Sequence, residues 1–372
     1  MRASFRSAFL LSVVGVLVAC SSTDKPKPTP LETFEPKIAG LAVWNLRLPG
    51  STLAMTPAVR DGVLFVASAD GTVMALQADT GTEVWRASAG SALSAGVGSD
   101  GRYTSVVTRG NEVVTFDAGR ELWRKRLPSS VVTAPLVAGE RVFVMSVDRA
   151  VHAFDAVDGR RLWVQQRPGE ALTLAQSSVV MAYRNTLLVG QGPRLTALDP
   201  LRGTVQWEAP MAAPRGTNEV ERLADLIGPG VRIGDRVCAR AFQSAVACVD
   251  ASKGTVLWSR NVGGVDAIAS DNDRVFGADA SDRITSWRTN NGDVSWTSEK
   301  LLYRGLSGAL SVGSSVVFGD SAGFVHFLSA TDGTQQLRLP TDGSAIVGTP
   351  VISGTTMVVM TRSGSLFAFR PN

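Results

Sequence analysis

The chain has 372 residues, 44% hydrophobic and 19% charged, which provides for a large core and excludes a chain disordered throughout. A formal charge of +4 is too small over this length for nucleic-acid binding by phosphate neutralisation. Two His and three Cys leave little material for a metal site or a His-based triad, and 37 Gly point to many tight turns.

Residues 1–19 read as an export signal. Arg2 and Arg6 give the positive start, and Ala8 to Val18 is an apolar run too short to span a bilayer as a mature helix. The run ends Leu17-Val18-Ala19-Cys20, which resembles a bacterial lipobox. That resemblance implies that Cys20 is lipidated and becomes the mature N-terminus. Each buried CH₂ of an acyl chain adds about 0.8 kcal/mol, so several chains on one Cys hold a protein firmly at a membrane surface. Cleavage takes away two Arg and no acid, leaving a mature charge of +2. By the same resemblance, Ser21 rather than Asp after the Cys implies the outer membrane. Residues 20–37 are then the lipidated Cys and a flexible tether, with four Pro and no apolar period.

Residues 38–372 are a repeat. Seven segments close on Trp or Leu after a strand-like run and a Gly turn, at 85, 123, 163, 207, 258, 296 and 337, so the spacings are 38, 40, 44, 51, 38 and 41. A period near 40 built from short β-branched strands fits four-stranded propeller blades, and the segments lack the 3.6-residue period of helical repeats. Within one unit, strands are expected near Thr56 to Val59, over Gly62 to Ser68, Thr72 to Gln77 and Thr82 to Arg86, with turns at Ala69-Asp70-Gly71 and Asp79-Thr80-Gly81. The plan recurs at Val142–Ser146 with Ala150–Asp155, and at Val316–Gly319 with Phe324–Leu328. Leu41 to Leu46, with Trp44, reads as a fourth strand, and Ser365 to Arg370 as a third. Pairing the two closes the ring, which removes exposed sheet edges. The expected fold is all-β: an eight-bladed β-propeller of four-stranded antiparallel blades, latched by its N- and C-terminal strands.

The units follow Ala-x-Asp-x-x-x-Gly-x-x-x-Trp, in full at Ala153, Asp155, Gly159, Trp163 and at Ala197, Asp199, Gly203, Trp207, and in part at Ala75, Gly81, Trp85 and at Asp250, Gly254, Trp258. This resembles the tryptophan-docking repeat of the pyrroloquinoline-quinone-type eight-bladed propellers. With the lipobox and the lean length, the chain resembles most the propeller lipoproteins of the outer-membrane β-barrel assembly (BAM) machinery. Two stretches add to the likeness: Thr217 to Asp225, like that family's acidic-hydrophobic loop, and Gly319-Asp320-Ser321-Ala322-Gly323-Phe324-Val325, like its Gly-Asp-x-x-Gly-aromatic hairpin.

The longest spacing, 51, marks residues 208–230 as an insertion, and insertions in repeat arrays map to loops, often on the binding face. Val220, Leu223, Leu226 and Ile227 follow a helix-like period, which predicts a short amphipathic turn. The segment is either a solvated cap on the ring or a partner contact. The resemblance implies that contact to BamA, the central assembly subunit, uses a Leu-x-Leu-Arg stretch and two Asp of the acidic loop. Leu172 and Leu174 match the apolar pair and Asp225 the first Asp; Ala175 and Ile227 stand where the Arg and the second Asp are expected. Glu219, Glu221 and Arg222 are candidates to restore the missing charge.

Cys238 and Cys248 are placed opposite each other by a hairpin centred on position 243. They are candidates for a disulfide or for two buried free thiols. His152 and His326 occupy equivalent third-strand positions and read as packed strand residues rather than catalysts or ligands.

The resemblance implies a non-catalytic scaffold without cofactor or metal, on the periplasmic face of the outer membrane. Its partners would be a BamA-like assembly protein, the other BAM lipoproteins and nascent outer-membrane proteins, with no nucleic acid. The competing readings are a quinone-dependent dehydrogenase on the same propeller and a periplasmic ligand-binding propeller. Against the dehydrogenase, the chain lacks an adjacent Cys-Cys pair and has units close to minimal length.

Overall fold

The computed structural model describes residues 26–50, 55–167 and 172–371. The export signal, Cys20 and Ser21 lie outside the described residues. The described residues form eight four-stranded antiparallel sheets whose innermost strands touch in sequence around a ring. Blades 1 to 7 span 58–88, 93–126, 136–165, 180–210, 226–260, 269–298 and 310–340. Blade 8 joins 346–371 to the first strand, Gly40–Arg47.

Burial explains the sequence pattern. Second and third strands are covered on both faces by neighbouring blades, so Val63–Ala67 and Thr72–Gln77 read as near-continuous apolar runs. Outer strands face solvent and alternate, as Glu83–Ser88 does. The hydrophobic core accordingly lies between blades. One cluster joins Leu64, Met74 and Leu76 of blade 1 to Val106 and Val114 of blade 2 and to Val358 and Met360 of blade 8. Boundaries expected from sequence fall within about two residues of those observed, and Thr72–Gln77 coincides.

The repeat motif is an interlock between blades. Trp123, on the outer strand of blade 2, packs beneath Gly159, in the last turn of blade 3, and donates its Nε1–H to Ala156 O at 2.9 Å. Gly159 has φ +69°, and a Cβ there would overlap the indole, so both conformation and space demand glycine. The arrangement repeats from Trp44 beneath Gly81 to Trp296 beneath Gly333. The motif's first residue is small because it pairs across a bulge with the Trp: Ala75 with Trp85, Ala153 with Trp163 and Ala197 with Trp207.

Leu337 replaces Trp in blade 7, and its cross-strand partner is Phe327, so the large and small positions are exchanged. Blade 8 has no hairpin over which to dock that Trp, because its third and outer strands come from opposite ends of the chain. Leu337 packs against Gly40 instead. The closure is the expected one: Gly40–Arg47 pairs antiparallel with Ser365–Pro371, with Leu46 opposite Leu366.

The structure corrects two sequence expectations. Residues 29–37 are not a free tether; they lie against blade 7 and the connection before it, with Thr29 N donating to Leu302 O (2.9 Å) and Lys37 N to Gln336 O (2.8 Å). The predicted amphipathic turn also fails as a unit. Residues 219–222 form one turn, but Leu226 and Ile227 open the strand Leu226–Ile233 and are 1% exposed, whereas Val220 is 70% exposed. The apparent helical period spanned a turn and a strand.

Candidate functional site

In a blade of four antiparallel strands, the second-to-third turn and the connection to the next blade lie on one side of the ring, here the loop face. Two loop-face connections, 166–179 between blades 3 and 4 and 211–225 between blades 4 and 5, carry the sequence-predicted partner residues. The structure brings them together. Asp225 Oδ2 accepts from Leu174 N at 2.8 Å, and its Oδ1 lies 3.4 Å from Arg149 Nη2. The same Arg149 nitrogen donates to Leu172 O at 3.4 Å. The Asp225 side chain is only 14% exposed, so it clamps the Leu172–Leu174 segment rather than offering a free carboxylate. Phe242 N donates to Asp225 O, tying the clamp to the second-to-third turn of blade 5.

Leu172 and Leu174 are half-buried, and Ala175 beside them is exposed. Ile227, at the expected second acid, is buried in the strand. Glu219 and Glu221 are exposed and Arg222 is half-buried. Glu221 Oε2 accepts from Thr217 N (2.7 Å) and Thr217 Oγ1 (3.1 Å), which holds its carboxyl below the usual range. Arg149 is a cation held against the Leu172–Leu174 segment. Sequence reasoning missed Arg149, which lies 76 positions from Asp225 and belongs to no repeat signature.

A central channel of about 720 Å³ is lined by the innermost strands of all eight blades. Its walls are mostly small, apolar or hydroxyl-bearing, with Asp266 the acid and Arg60 the base among the lining residues. Burial pushes the Asp266 carboxyl up to about 6, against the pull of Arg240. Arg240 is fully buried at the boundary of blades 5 and 6, where it donates to Gly263 O at 2.8 Å. A polycarboxylate quinone with Ca²⁺ would require several cations and a cluster of carboxylate ligands. One acid and one base do not fit that group, and the described residues contain no set of three His, Cys, Asp or Glu able to hold a metal.

Cys238 and Cys248 are cross-strand partners, as the hairpin centred on 243 requires, and are joined as a disulfide in the structure. His152 and His326 are both buried. His326 Nε2 lies 2.9 Å from Asp320 Oδ2, and Arg304 grips the same oxygen at 2.7 and 2.8 Å. Asp320 Oδ1 accepts from Ala322 N and Phe324 N, each at 2.9 Å. Asp320 of the Gly-Asp-x-x-Gly-aromatic stretch is therefore the centre of a buried structural latch of blade 7.

The family model described as outer membrane protein assembly factor BamB matches residues 37–90 and 69–298. The chain is 36% identical to BamB of Burkholderia pseudomallei over 97% of this chain and 96% of that protein. It is 34% identical to BamB of Bordetella pertussis over 98% and 95%. The crystal structure of BamB from Moraxella catarrhalis superposes with TM-score 0.82 at 21% identity, covering 89% of this chain and all of that one. A quinohemoprotein alcohol dehydrogenase from Comamonas testosteroni shares the fold at TM-score 0.69 and 15% identity, over 89% of this chain and 76% of its own. On full-length sequence similarity and shared architecture, the chain belongs to the BamB family of outer membrane protein assembly factors.

Proposed function

We propose that the protein is a scaffold without a reaction of its own, held by lipid on Cys20 at the periplasmic face of the outer membrane. There it docks to a BamA-like assembly subunit alongside the other BAM lipoproteins and assists the folding and insertion of β-barrel proteins. The observation that carries this reading is the Asp225 clamp. Two connections far apart in sequence are fixed into one loop-face surface, with Leu172 and Leu174 half-buried at it and Val220 exposed on the neighbouring turn. Rigid loops on a ring are suited to partner docking. The open outer edges of the blades add a second mode, strand addition by an extended chain.

The expected outcome of Leu172→Arg is at least a tenfold loss of assembly subunit recovered in a pull-down from detergent-solubilised envelopes, with thermal unfolding of the ring unchanged. Leu201→Arg, on the opposite face at a residue 61% exposed, leaves recovery at the wild-type level. Undiminished recovery with Leu172→Arg would remove this surface from the account. Dye reduction after adding the quinone and Ca²⁺ would instead support the dehydrogenase.

A further inference from the structure

Residues 29–38, ahead of the first strand, run along blade 7 and the connection before it, held at several points. Thr29, Leu31, Phe34 and Ile38 are half-buried while most residues between them are exposed. Leu31 packs on the core of blades 6 and 7, and Ile38 on that of blades 7 and 8. Glu32 pairs with Lys300 at 2.7 Å, its carbonyl accepts from Arg338 Nη2 at 3.1 Å, and the Arg338 guanidinium stacks over Phe34 at 5.1 Å. Arg304 ties this segment to the interior: Nη1 donates to Thr29 O at 3.0 Å, while Nε and Nη2 hold the fully buried Asp320. A charge-assisted network with its acid inside a blade is a costly arrangement to leave half-made, so the strap is coupled to the packing of blade 7.

We propose that residues 29–38 are a clamp that fixes the membrane anchor to blade 7 and turns the loop face of the ring toward the bilayer surface. The proposal rests on the reading of Cys20 as the lipidated residue. The clamp begins beside Leu302 and Arg304, in the connection 299–309, which lies on the loop face with the Leu172–Leu174 and Asp225 connections. From Cys20 to Pro28 there are nine residues, a length that reaches at most about 30 Å. Attachment only at the first strand would leave 18 residues, 20–37, between lipid and ring; attachment at residue 29 halves that length and places it at the rim of one face. The rim of the loop face beside Leu302 and Arg304 is thereby kept within that reach of the membrane. The bond from Lys37 N to Gln336 O also occupies the outer edge of blade 7, which withdraws that edge from strand addition.

Two measurements on the processed full chain test the clamp. In detergent, the amides of Thr29 and Lys37 should exchange with deuterium at least tenfold more slowly than a free chain. In Leu31→Ser/Phe34→Ala they should approach the free-chain rate while core amides of blade 7 stay protected. Free-chain exchange in the wild type overturns the clamp. In bilayer nanodiscs with a headgroup-bound nickel quencher, a fluorophore at Glu219→Cys should be quenched at least twofold more than one at Leu201→Cys. The clamp variant should lose that difference, and equal or reversed quenching in the wild type overturns the orientation. Failure of the chain to float with lipid vesicles overturns the anchor reading and the orientation with it, leaving the exchange result to decide the clamp alone.

Discussion

Asp320 is where a single side chain carries most. Burial works to raise its pKa, but the hydrogen bonds from His326, Phe324 N–H and Arg304 outweigh it and hold the carboxyl down to about 2. A free Asp titrates near about 3.9. The folded state therefore binds the proton less readily than the unfolded chain, and the resulting stabilisation is present above about pH 4 and lost as pH falls through about 2. In urea titrations the wild type should lose on the order of 2 kcal/mol from this group over that window. Asp320→Asn should show a flatter acid limb while starting about 3–5 kcal/mol lower at pH 7, because Arg304 is left buried without its acid. A parallel acid limb in the variant would assign the loss to other carboxylates. Cys238 and Cys248 lend themselves to an equally local check. With both in a disulfide, thiol titration of the denatured, unreduced processed protein should find no reactive thiol from the pair, and two after reduction. Two before reduction would mean free thiols in the same register.

At the scale of an element, the docking of an outer strand on the next blade sets the cost of mutation. Trp123 is 7% exposed, packs its ring at 5.8 Å and a 40° tilt against Phe154 of blade 3 and spends its indole N–H on that blade. Trp123→Ala should cost about 3–5 kcal/mol, read as a lower urea midpoint. A loss below about 1 kcal/mol would mean that the interlock is not what binds blades 2 and 3. The element was legible in the sequence because it is local: the Gly turn and the Trp recur at fixed offsets, so periodicity alone predicted the blade. Even the exception at Leu337 was visible as a missing Trp, though its compensation by Phe327 and Gly40 required the cross-strand register. The candidate site was legible only in part. Leu172, Leu174 and Asp225 could be singled out by likeness, but Leu174 and Asp225 are 51 positions apart and Arg149 and Asp225 are 76 apart, and nothing in a single sequence links them. The misread turn at 220–227 had the opposite cause. Four apolar residues matched a helical period by chance, and the buried strand that claims Leu226 and Ile227 was settled by packing against neighbouring blades.

For the molecule as a whole, the two ends of the chain bear a load that no inner blade bears. Each of blades 1 to 7 is continuous in sequence and could be assembled in order, but blade 8 exists only when Gly40–Arg47 has found Ser365–Pro371. That pairing has the greatest sequence separation of any strand pair in the ring, so its loop-closure entropy is met late, after the other blades have formed their contacts. The core is shared between blades rather than enclosed within each, so loss of the latch exposes two apolar faces together, one on blade 7 and one on blade 1. Deleting 365–372 removes the third strand of blade 8 and with it the only sheet partner of Gly40–Arg47 among the described residues. The truncated chain should therefore be recovered as aggregate, or as an open ring that binds a hydrophobic dye and unfolds without a sharp transition. Size-exclusion chromatography with calorimetry provides the check: a monodisperse truncation with a single cooperative transition would mean that the ring holds together through its tryptophan interlocks and not through its latch.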